Sequence, residues 1–207
     1  MRRLTLIRHG LTDWNASGRF QGHSDVPLSA EGRRQAERLR RYVAGLAVDV
    51  VVASTLARAT ETATIAFPEA VVGEDDRLRE LDFGRFEGRT VDENRASPEW
   101  PTWFRDPFDR PAPGGESYRD LRTRVVAWYR EAIDRHDGAH VVAVSHSGTL
   151  QMLLSHVLGV ERPRWRKRLY LRHAGVSNVM FVGGEAIIER INDTRHLLPD
   201  RSDPFAS

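Results

Sequence analysis

The chain is predicted to adopt an α/β fold, with a parallel-rich sheet covered by helices on both faces. Three observations predict it. The runs "VDVVVAS" (48–54) and "HVVAVSHSG" (140–148) are continuously apolar and β-branched, as in strands buried on both faces. Segments of helical period lie between the apolar runs. Strand and helix alternate along the chain, the pattern of βαβ units.

Taken in order, Leu4–Ile7 is a short strand. Ser29 is an N-cap signal, and Ala36, Leu39, Val43 and Leu46 follow at steps of three and four, an amphipathic helix with Gly45 near its end. The strand at 48–54 feeds "TLARATETATIAF", a helix stopped by Pro68. From Arg77 to Pro113 the pattern weakens, and this region is expected to be mostly loop with one or two short helices lying over the sheet. Ser117, with Asp120 three residues on, opens a helix through Leu121, Val125, Trp128 and Ala132 to Gly138. The strand at 140 leads into the helix "TLQMLLSHVLG", and residues 177–191 read as a hairpin turning at Gly183 and Gly184. The stretch after Pro199 is expected to be a loose tail.

Composition narrows the function. The 207 residues suit one domain and bury enough surface to need no disulfide or structural metal. The absence of cysteine removes thiol nucleophiles, thiolate zinc sites and redox chemistry. The 31 basic residues are all arginine except Lys167, and 29 acids balance them to +2. The pI of about 9.4 therefore reflects the high pKa of arginine more than a basic surface, so neither nucleic acid nor membrane is expected as a partner. Only Leu4–Ile7 is apolar between Arg3 and Arg8, too short for a signal-peptide core, and a cytoplasmic location is expected. No heptad or long apolar edge demands an oligomer, although a homodimer is allowed.

The strand ends carry the chemistry. Ligands of open α/β sheets bind at the carboxyl ends of strands. There the first strand ends in Arg8, His9 and Gly10, the strand at 140 in Ser145, His146, Ser147 and Gly148, and the strand at 48 in Ser54, with Arg58 one turn into its helix. Arg58 sits where the helix dipole disfavours a cation, so something must offset it, and a bound phosphate would. Arg8 and Arg58 suit bidentate contacts to phosphate oxygens, with Thr12, Asn15, Gln21, Gly22, His146 and Ser147 available for the rest. A phosphate neutralised in this way can be attacked by a neutral imidazole, and His9 is the candidate nucleophile. A carboxyl must then give a proton to the leaving oxygen and later take one from water. Glu80 in "RLRELDFG" is the first choice, with Asp82, Glu87 and Glu116 as rivals that periodicity does not separate.

In the order "LIRHGLTDWN", "SDVPLSAEGRRQA", "ASTLARATETA", "LRELDFGRFEG", "PGGES" and "VSHSG", the chain resembles the histidine phosphatase superfamily, phosphoglycerate mutase-like branch, over about residues 4–195. The resemblance implies a single domain over 1–207 with a three-layer α/β/α sandwich and a mostly parallel sheet. It also implies that His9 is phosphorylated, that Arg8, Arg58 and His146 bind phosphate, that Glu80 is the proton donor, and that no cofactor or metal takes part. Asn15 falls where the family keeps a polar phosphate contact. "LDFGRFEG" after the acid, and "NDTRHL" at 192–197, look like the phosphatase subgroup, which includes broad-specificity and α-ribazole-phosphate phosphatases. The expected activity is metal-independent hydrolysis of a small phosphorylated metabolite. A cofactor-dependent phosphoglycerate mutase and a catalytically inactive phospho-ligand binding domain are the alternatives. Residues 96–113, with two Trp and two Phe, are expected to cover the site, as an aromatic entrance or as a hydrophobic cluster packing a long loop.

Overall fold

A buried strand with an apolar residue at every position needs a helix layer on each side, and the fold supplies both. A computed structural model of the chain describes residues 1–161 and 169–198; the expected loose tail lies outside them. Six strands, β1 (Arg3–Arg8), β2 (Val50–Ala53), β3 (Val72–Glu74), β4 (His140–Ser145), β5 (Val176–Val182) and β6 (Glu185–Asp193), form one sheet in the order β3-β2-β4-β1-β5-β6. The first four run parallel, and β5 and β6 are antiparallel. The later strand β4 inserts between β1 and β2, and this crossover brings the two histidine-bearing strand ends together.

Side chains alternate between two cores, as period two requires. Leu4, Leu6, Val141 and Ala143 face α6 (Tyr118–Arg135) and α7 (Ser147–Val157) through Leu121, Val125, Trp128, Leu150 and Leu153. Ile7, Val51, Ala53, Val142 and Val144 face α2 (Ala30–Val43) and α3 (Ala57–Ala66) through Leu39, Val43, Ala59 and Ala63. The result is the α/β/α sandwich. Ser29 caps α2 by accepting from the Gly32 N–H at 3.1 Å, and Ser117 and Asp120 close a capping box on α6. The hairpin turns at Gly183 and Gly184, whose φ values of 59° and 86° suit glycine.

The departures from expectation are local. Helix α2 ends at Val43, so Leu46 lies beyond it and is exposed. Strand β3 was not anticipated; it has three residues and pairs in register with Val51–Ala53. A single turn, α1 (Asp13–Ala16), follows β1. Between β3 and α6 the expected loop with two short helices is found, α4 (Val91–Arg95) and α5 (Trp100–Arg105), with two 3₁₀ turns besides. This region contributes Leu78, Leu81, Phe86, Trp100 and Trp103 to the core. Among the described residues, no helix is long and apolar enough to cross a membrane.

Candidate active site

Strand register builds the centre of the site. Arg8 pairs with Ser145 across β1 and β4, so the next residues, His9 and His146, lie side by side with ring centroids 5.0 Å apart. The His9 Nδ1 lies 2.6 Å from the Gly10 carbonyl, which can only accept. Nδ1 therefore carries the proton, and Nε2 is left with its lone pair. Burial, followed by the charges of Arg58 and Arg8, holds the His9 imidazole well below its usual range, so it is neutral at neutral pH.

His146 has the opposite tautomer. Arg58 Nε donates to its Nδ1 at 3.1 Å, so the proton sits on Nε2, which donates to Ser54 Oγ at 2.8 Å. Burial and then Arg58 push this imidazole down as well. Arg58 is fully buried and also donates to the carbonyls of Gly22 at 2.7 Å and Ser24 at 3.0 Å. Burial lowers it to about 10, leaving it protonated at neutral pH. Two carbonyls and an imidazole thus already offset the unfavourable helix position noted in the sequence. Arg8 donates through Nη1 to the Leu171 carbonyl at 2.6 Å, and its buried Nε has no partner.

The loop after β1 is organised by its own side chains. Thr12 caps α1 by accepting from the Asn15 N–H at 3.1 Å and donates to Gln21 Oε1 at 2.6 Å. Asn15 Oδ1 is buried without a partner. Gly22 passes so close to Leu81, Phe83 and Glu87 that a Cβ there would collide with them. Ser147 opens α7, and its Oγ accepts from Gln151 Nε2 at 3.4 Å.

The carboxyl rivals separate on their partners. Glu87 accepts from the backbone N–H groups of His23, Ser24 and Phe83 at 2.8, 2.7 and 3.0 Å. Burial raises its pKa, but these bonds outweigh it and hold the carboxyl below its usual range. Glu116 is bound twice by Arg124, at 2.9 and 2.8 Å, and Asp82 Oδ1 accepts from the Gly84 N–H at 2.8 Å. Glu80 also accepts from backbone, its Oε2 from the Gly148 N–H at the start of α7 at 2.9 Å and its Oε1 from its neighbour Leu81 at 2.9 Å. It also lines a cavity of about 410 Å³ with Phe20, Phe83, Trp103 and Ser147. Trp103 both packs in the aromatic cluster, 5.2 Å from Trp100 and Phe86, and faces this cavity, so the two readings of region 96–113 describe two sides of one residue.

A sequence profile of the histidine phosphatase superfamily (branch 1) matches residues 4–194. The chain belongs to that superfamily. It is 34% identical over 209 residues to a Salmonella choleraesuis protein named "Probable phosphoglycerate mutase GpmB", with 95% of each chain covered. Among solved structures it is similar to YhfR of Bacillus stearothermophilus, at 30% identity and a TM-score of 0.86, covering 95% of this chain and 99% of that one. It is also similar to the phosphoserine phosphatase of Entamoeba histolytica in complex with 3-phosphoglyceric acid, at 26% identity and 0.85, covering 96% and 100%. The protein is thus an enzyme of the histidine phosphatase superfamily.

Within this superfamily fold, three parts of the site were not read from sequence. His173 lies with its ring 5.6 Å from His9, its Nδ1 buried without a partner, and burial and then Arg8 push it down to about 3. It precedes β5, which runs antiparallel to β1 with Val176 opposite Ile7, so the entrance to β5 lies at the exit of β1. Reading the hairpin as a partner of β1 would have found it. Asp25 Oδ1 accepts from the Ala57 N–H at 2.7 Å and so caps α3 from a distant loop. Arg124 in α6 binds the Glu80 segment, and only the tertiary structure brings the two together.

Proposed function

We propose that the protein is a metal-independent phosphomonoester hydrolase that works through phosphohistidine on His9. The observation that carries this reading is the His9–Gly10 hydrogen bond, which fixes the proton on Nδ1 and leaves Nε2 as a neutral nucleophile between two protonated arginines. Arg8, Arg58 and His146 hold the phosphoryl oxygens and neutralise their charge, with Thr12, Asn15, Gln21, Gly22 and Ser147 completing the pocket wall. The Nε2 lone pair forms the P–N bond while the P–O bond breaks, and the departing oxygen takes the proton of the Glu80 carboxyl. Water then attacks phosphorus and gives its proton to the Glu80 carboxylate. The P–N bond breaks to release phosphate and neutral His9.

The cavity beside Glu80 receives the leaving group. Its walls of Phe20, Phe83, Trp103, Tyr118 and Tyr170 favour a small phosphorylated metabolite with an apolar or planar alcohol portion. A second reading, phosphoglycerate mutase, is supported by the 34% identity to the relatives named for that activity.

The test is phosphate release from a panel of monoesters in excess EDTA. Wild type is expected to turn over several of them, with a phosphoenzyme trapped by acid quench. His9→Ala is expected to lose at least about 10³-fold while keeping its unfolding transition. Near-wild-type release by His9→Ala would overturn the reading. Conversion of 3-phosphoglycerate to 2-phosphoglycerate with added bisphosphoglycerate, faster than any hydrolysis, would favour the mutase.

A further inference from the structure

The Glu80 carboxyl stands on a segment with no secondary structure to hold it. Between β3 and α4 the chain makes only two isolated 3₁₀ turns, and residues 79–83 form neither helix nor strand. Carbonyls of such a segment have no ladder partner and must find donors elsewhere. Here they are supplied largely by one side chain. Arg124, on α6, donates through Nη1 to the carbonyls of Arg77 at 2.9 Å and Arg79 at 2.7 Å, and through Nη2 to the carbonyl of Glu80 itself at 2.7 Å.

The same guanidinium is held from the other side by Glu116, whose two carboxylate oxygens accept from Nε at 2.9 Å and Nη2 at 2.8 Å. Glu116 is anchored in turn, since its Oε2 accepts from the Asp82 N–H at 3.1 Å, two residues beyond Glu80. The planar fork of arginine therefore closes a loop from Arg77 through Glu80 to Asp82 and back through Glu116. Lysine could not make five bonds in that plane. Other side chains share the work: His23 Nε2 lies 3.0 Å from the Glu80 carbonyl, Ser145 Oγ donates to the Leu78 carbonyl at 2.6 Å, and Thr149 Oγ1 donates to the Arg79 carbonyl at 2.6 Å, beside Arg124. Arg124 reaches the Glu80 backbone rather than its carboxyl, and Glu116 neutralises its charge, so its effect on the acid is one of position.

We propose that Arg124, with Glu116 as its counter-ion, is the positioning residue for the Glu80 acid, setting the distance between its carboxyl and the oxygen that leaves phosphorus. This rests on the reading of Glu80 as proton donor, and the test separates the two. Proton donation matters most where the leaving alcohol is a poor leaving group. The measurement is kcat/KM over a series of phosphomonoesters from nitrophenyl to alkyl, for wild type, Glu80→Gln, Arg124→Met, Glu116→Gln and the double variant Glu80→Gln/Arg124→Met.

Arg124→Met is expected to lose about threefold on nitrophenyl phosphate and roughly 10²-fold on the alkyl esters, a loss within the range of general-acid catalysis. Glu116→Gln is expected to show the same trend more weakly. In the Glu80→Gln background, Arg124→Met should add less than about threefold, because the two act through one group. The dependence on leaving group is a ratio between substrates on one preparation, so partial unfolding lowers every rate alike and leaves it unchanged. A uniform loss across the series, or additive losses in the double variant, overturns the role of Arg124. A Glu80→Gln series with no dependence on leaving group overturns the reading of Glu80 instead.

Discussion

The ends of β1 and β4 carry the same residue type in adjacent register and are finished in opposite ways. At β4, every group of His146 and three donors of Arg58 are satisfied by protein: Ser54, Gly22 and Ser24. At β1, hydrogen-bonding capacity is left over. His9 Nε2 is given no partner by its tautomer, and Arg8 Nε and Asn15 Oδ1 are buried without one. Buried polar groups of this kind are costly unless a ligand completes them. The β4 end is thus held mainly by protein, as scaffold, and in the proposed function the β1 end is where a ligand supplies the missing bonds.

Breaking the scaffold side should give the largest effect. Arg58→Met leaves two carbonyls and the His146 Nδ1 without donors, and removes a buried cation from the phosphate pocket. It is expected to lower stability by about 3 kcal/mol by chemical denaturation and kcat/KM by roughly 10³-fold. Arg8→Met, which unpairs the Leu171 carbonyl and the Tyr170 side chain but no histidine, should lose comparable activity at a stability cost of about 1 kcal/mol. Equal stability losses in the two variants would erase the distinction between the two strand ends.

The next effect in size is the dependence of stability on pH. His9, His146 and His173 are all held below the usual imidazole range, chiefly by burial. Their unfolded forms take protons near pH 6.5, the folded forms only at lower pH, so in that window the unfolded state binds more protons. Stability from these groups is therefore complete above about 6.5 and falls as pH falls, by up to about 1.4 kcal/mol per pH unit for each group. Urea midpoints between pH 7 and 5 should show this decline, and His173→Asn should make it shallower. An unchanged slope in that variant would mean that His173 binds protons alike in the folded and unfolded states.

How much of this was legible beforehand follows physical scale. Ser29 and Ser117 announced their helices because a cap is a local interaction, and β2 and β4 announced themselves because burial on both faces demands unbroken apolar runs. That Arg8, His9, Arg58 and His146 lie together was legible because a parallel sheet concentrates its strand ends at one edge. Strand β3 was missed because "VGE" has a glycine and a charge, and its pairing with β2 is not visible in its own residues. The setting of Glu80 was missed for a different reason: its supports, Gly148, Ser145, Thr149 and Arg124, are 44 to 70 residues away in sequence. His173 was missed because an antiparallel strand brings its entrance, not its exit, to the edge where β1 ends.

The smallest effect tests the scaffold reading most sharply. In the free enzyme Ser54 Oγ is the acceptor for the His146 Nε2 proton. If His146 contacts the phosphoryl group, that same N–H must turn from Ser54 to a phosphate oxygen, and the wild-type protein gives up one hydrogen bond to form the other. Ser54→Ala removes the competitor. Ser54 Oγ also accepts from the Leu56 N–H at 3.3 Å, a bond lost in both states; the free protein should lose about 1 kcal/mol more stability than the ligand-bound form, which no longer uses Ser54 for His146. Because the loss falls on one side of the binding equilibrium, an oxyanion such as vanadate should bind about fivefold more tightly to Ser54→Ala than to wild type. Weaker vanadate binding would instead mean that Ser54 still holds His146 in the complex, and that the β4 end stays saturated through the reaction.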